Sequence, residues 1–207
     1  AHLEGGCAAL AHEAGLTPGA HAAHGGPPRV RVGGAVDGGV GALPVGEVAD
    51  GLHIHSFHSA KYLREILHPA VAQGLHASGR SRLDFGFRAS TMVIIGDTHA
   101  EIEEQKQQVK QQIAFYASTR TYAAVLAAHG LEDLSPRLHA KSLEGDWKGM
   151  ADLISDAMLD DFATIGSWSE IGARIRERFA GLYDRTQLYP SFAPSLDDPR
   201  MQRLARE

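Results

Sequence analysis

The feature that most constrains the fold is a continuous apolar run, which ends a strand predicted over Phe85–Ile95. The run, Thr91–Ile95, is apolar at both sets of alternate positions, which is typical of a strand buried on both faces. Strands of this kind belong to parallel sheets that helices cover on each side. The run therefore favours a parallel sheet inside an α/β protein.

Strand and helix patterns alternate along the rest of the chain. Further strands are predicted at Arg29–Val32, Leu52–Phe57 and Thr186–Tyr189, while Ala163–Gly166 is predicted to be only a short apolar link. Strands that alternate with helices indicate a parallel sheet with right-handed crossovers. A whole (β/α)8 barrel needs about 250 residues. The fold class expected here is therefore α/β, a partial TIM (β/α)8 barrel with about its last four strands and their helices.

Several local signals set the helix boundaries. Ser59 can cap the helix that follows the second strand, and Pro69 is expected to kink or break that helix. Capping boxes at Thr98–Glu101 and Ser167–Glu170 each predict a helix start. The glycine-rich stretch Gly33–Gly46 predicts a weak helix at best, because each glycine costs about 1 kcal/mol relative to alanine.

Composition excludes several classes of protein. The chain of 207 residues is 43% apolar and 22% charged, with a net charge of −5, so it offers no electrostatic attraction for nucleic acid or an anionic membrane. We expect neither as a partner.

The sole cysteine, Cys7, allows no internal disulfide, which fits a reducing compartment. With no recognisable secretory signal, we expect a cytoplasmic protein. Because the chain starts at Ala1 rather than methionine, we expect a fragment or a processed chain.

Changes in composition divide the chain into three parts. Residues 1–26, rich in Gly, Ala and His, are expected to be poorly structured. Residues 27–190 carry the strand and helix patterns. Residues 191–207 form a proline-containing tail that is expected to lie outside the core.

A glycine turn is the first candidate for chemistry. The predicted strand Arg29–Val32 runs into Gly33, Gly34 and Ala35. Glycines at the carboxyl end of a parallel strand let backbone N–H groups approach a phosphate or an isoalloxazine edge, and ligands of α/β barrels bind at that end. A flexible loop without a ligand is the alternative interpretation.

A pair of histidines is the second candidate. His53 and His55, with His58 nearby, would point to the same face of a strand and could bind a metal, as in a metal-dependent hydrolase. The chain has 12 histidines, so a chance pair is the alternative. No nucleophile–base motif is present, and the catalytic residues stay unassigned.

Seven segments in order carry a family resemblance. They are Pro27–Gly34, Gly46–Phe57, Tyr62–Glu65, Gly96–Thr98, Gln112–Tyr116, Gly145–Trp147 and Phe162–Gly166. With this order and spacing the chain resembles the luciferase-like monooxygenase superfamily, in particular its branch of probable coenzyme F-420-dependent oxidoreductases. Only the C-terminal half of that barrel is represented.

The resemblance implies a barrel whose cofactor, coenzyme F-420 (a deazaflavin) or FMN, lies at the carboxyl-terminal mouth. It assigns the cofactor contacts to Val32, Gly33, Gly34, Ala35, His53, Ile54 and His55. On this interpretation the histidines contact cofactor or substrate and hold no metal.

Three hypotheses follow. The first is a fragment of an oxidoreductase that transfers hydride between a deazaflavin or flavin and a small organic substrate. The second is a catalytically inactive truncated barrel, which would persist as a homodimer through its open sheet edges. The third is a metal-dependent hydrolase that uses His53 and His55.

Overall fold

The computed structural model describes residues 32–33, 42–193, 195, 197–204 and 206. The strands are β1 (Val32–Gly33), β2 (Gly51–Ile54), β3 (Gly86–Ile95), β4 (Thr164–Gly166) and β5 (Arg185–Pro190). The helices are α1 (Ala42–Val48), α2 (Ala60–Tyr62), α3 (His68–Ala77), α4 (His99–Ala117), α5 (Ala123–Ala127), α6 (Leu134–Glu144), α7 (Trp147–Asp152), α8 (Asp156–Phe162), α9 (Ile171–Arg178) and α10 (Pro199–Leu204). A π-helical turn, Leu63–Leu67, joins α2 to α3.

The strands form one parallel sheet in which β3 is central. β3 pairs through Gly86–Ala89 with β2, through Arg88–Val93 with β5 and through Val93–Ile95 with β4. β1 pairs with the far edge of β2. The predicted strand over Phe85–Ile95 is confirmed within one residue, and its end is buried on both faces as expected. The predicted α/β architecture with a parallel sheet is therefore confirmed.

Two strand predictions need correction. The segment Ala163–Gly166 is more than a link, because Thr164–Gly166 forms β4 beside the end of β3. A strand of three residues is too short to show a period in sequence. The strand predicted over Leu52–Phe57 ends at Ile54. Of the strand predicted at Arg29–Val32, Val32 lies in β1, and residues 29–31 lie outside the described part of the chain.

Helix α1 forms within the glycine-rich stretch because two glycines let its backbone touch that of α3. A Cβ atom on Gly46 would lie 3.1 Å from the Cα of Gly74, and a Cβ on Gly74 would lie 3.0 Å from the Cα of Gly46. Each would also clash with a carbonyl oxygen of the facing helix, that of Val71 or that of Leu43. Tertiary packing thus offsets the low helix propensity of this segment.

The helix after β2 begins where the sequence predicts. The Oγ of Ser59 accepts a hydrogen bond from the backbone N–H of Tyr62, which confirms the cap. Pro69 does not end the helix, since α3 continues to Ala77. The π-helical turn lies immediately before Pro69, which has no N–H for the helical ladder.

The two predicted capping boxes differ in outcome. At α4, the Thr98 side chain accepts from the N–H of Glu101 and the Glu101 carboxylate accepts from the N–H of Thr98, which confirms the box. At α9, Ser167 and Glu170 also bond to each other, but the helix starts only at Ile171. Ser167–Glu170 is therefore a turn before the helix rather than its first turn.

The two faces of the sheet have different surroundings. On one face, Phe87 of β3 stacks on His68 of α3, with ring centroids 4.3 Å apart. The alternate residues of β3, including Ser90 and Met92, lie on the opposite face.

The C-terminal tail contacts the rest of the fold. The side chain of Arg200, in α10, lies over the ring of Trp168, 4.5 Å from the ring centroid. None of the helices in the described part of the chain has the length and apolar character of a membrane span.

Candidate functional site

A polar row crosses the sheet on the face opposite α3. The Nε2 of His53, in β2, lies 3.2 Å from the Oγ of Ser90 in β3. The side-chain amide nitrogen of Gln187, in β5, donates to the same oxygen at 2.8 Å. Ser90 is only 7% exposed. Three neighbouring strands thus contribute one connected set of hydrogen-bonding groups.

Aromatic groups lie beyond this row, past the carboxyl end of β2. The ring of His55 makes an edge contact with Tyr116 of α4, at 4.7 Å between centroids, and lies 5.0 Å from the ring of Tyr122. The hydroxyl of Tyr116 hydrogen-bonds that of Tyr189, near the end of β5, at 3.1 Å. Burial, followed by the bond to Tyr189, raises the pKa of Tyr116, so its hydroxyl stays protonated. The rim of the sheet therefore combines flat rings with hydroxyl groups.

The two histidines that follow β2 have opposite hydrogen-bonding roles. The Nδ1 of His55 accepts from the backbone N–H of Phe57 at 3.1 Å. The Nδ1 of His58 donates to the carbonyl oxygen of His55 at 2.7 Å, because a carbonyl can only accept. Burial lowers the pKa of both imidazoles, to about 4 for His58. Both rings are neutral at pH 7.

The structure brings part of the predicted site together. His53 lies near the end of β2 in the polar row, and His55 follows that strand among the tyrosines. Ile54 is buried, 4% exposed, on the alternate side of the strand. Val32 and Gly33 form β1, next to β2, whereas Gly34 and Ala35 lie outside the described residues. The role of all seven in cofactor binding stays a prediction.

The structure offers little for a metal. Among the described residues, no group of three or more His, Cys, Asp or Glu side chains is arranged to hold an ion. His53 and His55 each use one ring nitrogen, on Ser90 and on the backbone of Phe57 respectively. In the part of the chain that the structure describes, no third metal ligand joins His53 and His55, and the hypothesis of a metal-dependent hydrolase gains no support from it.

Sequence reasoning missed four residues of this region. They are Ser90, Tyr116, Gln187 and Tyr189. In the sequence, Tyr116 stands out only as part of the family-resembling segment Gln112–Tyr116, and the other three lie within predicted strands. The available signal was the two-residue period, which puts Ser90 and Met92 on one face of β3. The pairing of β3 with β5, which brings Gln187 to Ser90, has no signal in the sequence.

The residues present fit a flavin or deazaflavin ring. Such a ring needs hydrogen-bonding groups along its edge and flat or apolar surfaces against its faces. The polar row supplies the hydrogen-bonding groups, and His55 with Tyr116 and Tyr122 supplies the flat surfaces. The Oγ of Ser191, directly after β5, is buried without a hydrogen-bond partner among the described residues. An unsatisfied hydroxyl near the mouth is free to contact a ligand.

Comparison with known proteins decides the family. Residues 6–186 match the family described as Luciferase-like monooxygenase. The chain belongs to this family. The match confirms the resemblance found in the sequence, and it begins upstream of Pro27, where the resembling segments start.

Relatives and structural neighbours of this luciferase-like chain are longer than the chain itself. Uncharacterized proteins of Mycobacterium tuberculosis and Mycobacterium bovis are each 43% identical over 140 residues, which is 68% of this chain and 41% of theirs. The coenzyme F420-dependent tetrahydromethanopterin reductase of Methanopyrus kandleri superposes with a TM-score of 0.60 at 21% identity. That match covers 77% of this chain and 44% of the reductase. The chain therefore has the fold of part of a luciferase-like barrel and spans less than half of these proteins.

Proposed function

We propose that the chain contributes part of the cofactor site of an oxidoreductase that transfers hydride between a deazaflavin or flavin and a small organic substrate. Coenzyme F-420 and FMN are the two candidate cofactors. Membership of the luciferase-like monooxygenase family supports the reaction class. The observation that carries the proposal is the polar row of His53, Ser90 and Gln187 beside the aromatic rim of His55 and Tyr116.

The location of these groups supports the proposal. Barrel enzymes bind their ligands at the carboxyl ends of the strands. His53 is the third of four residues in β2, and His55 follows the strand directly. Tyr189 lies at the corresponding end of β5. His53, His55 and Tyr189 thus lie near the carboxyl ends of two strands, which supports a ligand site there.

Each group has a defined part in this proposal. The cofactor, when bound, supplies the redox chemistry. His53 and Gln187 are held in place through Ser90, so their remaining polar atoms are oriented before a ligand arrives. Tyr116 stays a hydroxyl donor because its pKa is raised. His55 adds a ring surface beside Tyr116.

Fluorescence titration tests the proposal. The folded chain is titrated with coenzyme F-420 and, separately, with FMN, and we expect saturable binding of one of them. Loss of one hydrogen bond costs about 1 kcal/mol, so His53→Ala should weaken binding roughly fivefold. His76→Ala, which removes an exposed histidine of α3, is the matched control and should bind like the wild type.

The outcomes separate the hypotheses. Binding that is weakened by His53→Ala and unchanged by His76→Ala supports the site. If a chain with a folded circular dichroism spectrum binds neither cofactor, the site is not functional in this chain, and the inactive truncated barrel is favoured. Binding that His53→Ala leaves intact would place the cofactor elsewhere.

A further inference from the structure

A small cavity lies on the helix-facing side of β2, apart from the polar row. Its volume is about 40 Å³. The lining is mainly apolar and includes Val125, but it also contains three hydroxyl-bearing residues, Tyr62, Thr121 and Tyr122, and two imidazoles, His55 and His58. About 10–15 Å³ is enough for one water, so the cavity has room for a few waters or one very small organic molecule.

The Nε2 of His58 is a buried polar atom on the lining of this cavity, without a hydrogen-bond partner among the described residues. The residue is only 2% exposed. The Nδ1 carries the proton, because it lies 2.7 Å from the carbonyl oxygen of His55. In the neutral ring, Nε2 is then an acceptor only. A buried acceptor without a partner costs about 1–3 kcal/mol, which is a reason to expect a donor next to it.

The second imidazole has the complementary arrangement. The Nδ1 of His55 accepts from the N–H of Phe57, so the proton of the neutral ring is on Nε2. His55 therefore offers a donor, and His58 an acceptor, on the lining of one cavity. The low pKa of both rings, caused mainly by burial, keeps these roles fixed at neutral pH.

We propose that this cavity binds a hydroxyl group, which donates to the Nε2 of His58 and accepts from the Nε2–H of His55. A hydroxyl is the smallest group that donates and accepts at once. Water and a small alcohol share this chemistry, and the volume admits both. No charged side chain is among the described residues that line the cavity, so an ion is disfavoured, because burying a charge without a partner is costly. The cavity shares His55 with the aromatic rim of the proposed cofactor site, but its test uses no cofactor, so the two proposals can fail separately.

Nitrogen NMR of the full chain tests this proposal directly. Long-range proton–nitrogen correlations assign the protonated nitrogen of each histidine, and we expect Nδ1 for His58 and Nε2 for His55 at pH 7. Methanol is then added in steps while the Nε2 resonance of His58 is followed. Acetonitrile, which is similar in size but cannot donate a hydrogen bond, is the control solvent. Cross-relaxation between water and the His58 ring is recorded in parallel.

Two variants report on the cavity without depending on one another. Val125→Leu keeps both histidines and fills part of the volume, so it should abolish the response to methanol while leaving the tautomers unchanged. His58→Phe removes the acceptor at similar size and should remove any effect of methanol on the His55 resonances. His76→Phe changes an exposed histidine and should respond like the wild type.

Each result supports or overturns the inference. A saturable shift with methanol, absent with acetonitrile and in Val125→Leu, identifies the cavity as a site for small alcohols. Water contacts with His58 but no methanol shift identify water as the occupant. A protonated Nε2 on His58 at pH 7, or an Nε2 that contacts neither water nor methanol, would overturn the proposal.

Discussion

The contact between Gly46 and Gly74 predicts that Gly74→Ala destabilises the fold, although alanine is the better helix former. A Cβ on Gly74 would lie 3.0 Å from the Cα of Gly46 and from the backbone nitrogen of Glu47, and closer still to the carbonyl oxygen of Leu43. Carbon atoms in contact are ordinarily about 3.5–4.0 Å apart. Helix α1 must therefore move away from α3 by at least about 0.5–1 Å.

The magnitude follows from two opposing effects. A shift of about 0.5–1 Å forfeits a quarter to a half of the dispersion energy between the facing atoms, and overpacking of this kind costs about 1–3 kcal/mol. The upper part of that range applies, since the clash is with backbone rather than with a side chain that could rotate. Replacing glycine by alanine in a helix contributes about 1 kcal/mol of stability. We expect a net loss of about 2 kcal/mol in the free energy of unfolding.

Urea unfolding followed by circular dichroism measures this loss. The matched control is Ala72→Gly, an exposed position in the same helix, which reports the propensity effect without any contact. It should lose about 1 kcal/mol. If Gly74→Ala instead gained the amount that Ala72→Gly loses, the two helices would not be in backbone contact and the reasoning would be refuted.

Two further predictions concern the residues after β2. Ser59→Ala removes both a helix cap and the 2.7 Å hydrogen bond to His129, so unfolding in urea should show a loss of about 1–2 kcal/mol, whereas Ser59→Thr should retain most of the stability. Burial lowers the pKa of His58 from 6.5 to about 4, so the unfolded chain binds a proton that the folded chain excludes between these values. The free energy of unfolding should be highest above about pH 6.5 and fall by up to about 3 kcal/mol as the pH drops to 4. His58→Phe should flatten this slope, and an unchanged slope would contradict the assignment.

Local signals in the sequence predicted the parts of the fold that depend on neighbouring residues. The cap at Ser59 and the box at Thr98–Glu101 involve groups three residues apart, so their residue types suffice to identify them. The strand Phe85–Ile95 was recognisable because its last four residues, Met92–Ile95, are apolar and buried on both faces.

The errors lie where distant parts of the chain decide the structure. β4 is a strand because it meets the end of β3, and α1 is a helix because Gly74 allows close packing. The same holds for the candidate site. His53 could be named from the sequence, but its link to Gln187 through Ser90 depends on a strand pairing across 97 residues.

The pairing of β3 with β5 also has a consequence for synthesis of the chain. β3 is complete at Ile95, but β5 begins only at Arg185. At about 5–20 residues per second, a ribosome needs roughly 5–20 s to reach the partner strand. During this interval one edge of the most apolar strand lacks the hydrogen bonds that β5 will provide, and an unpaired apolar edge can join other chains. The nascent chain is thus most exposed to aggregation while residues 96–184 are being translated, when chaperone contact would be most useful.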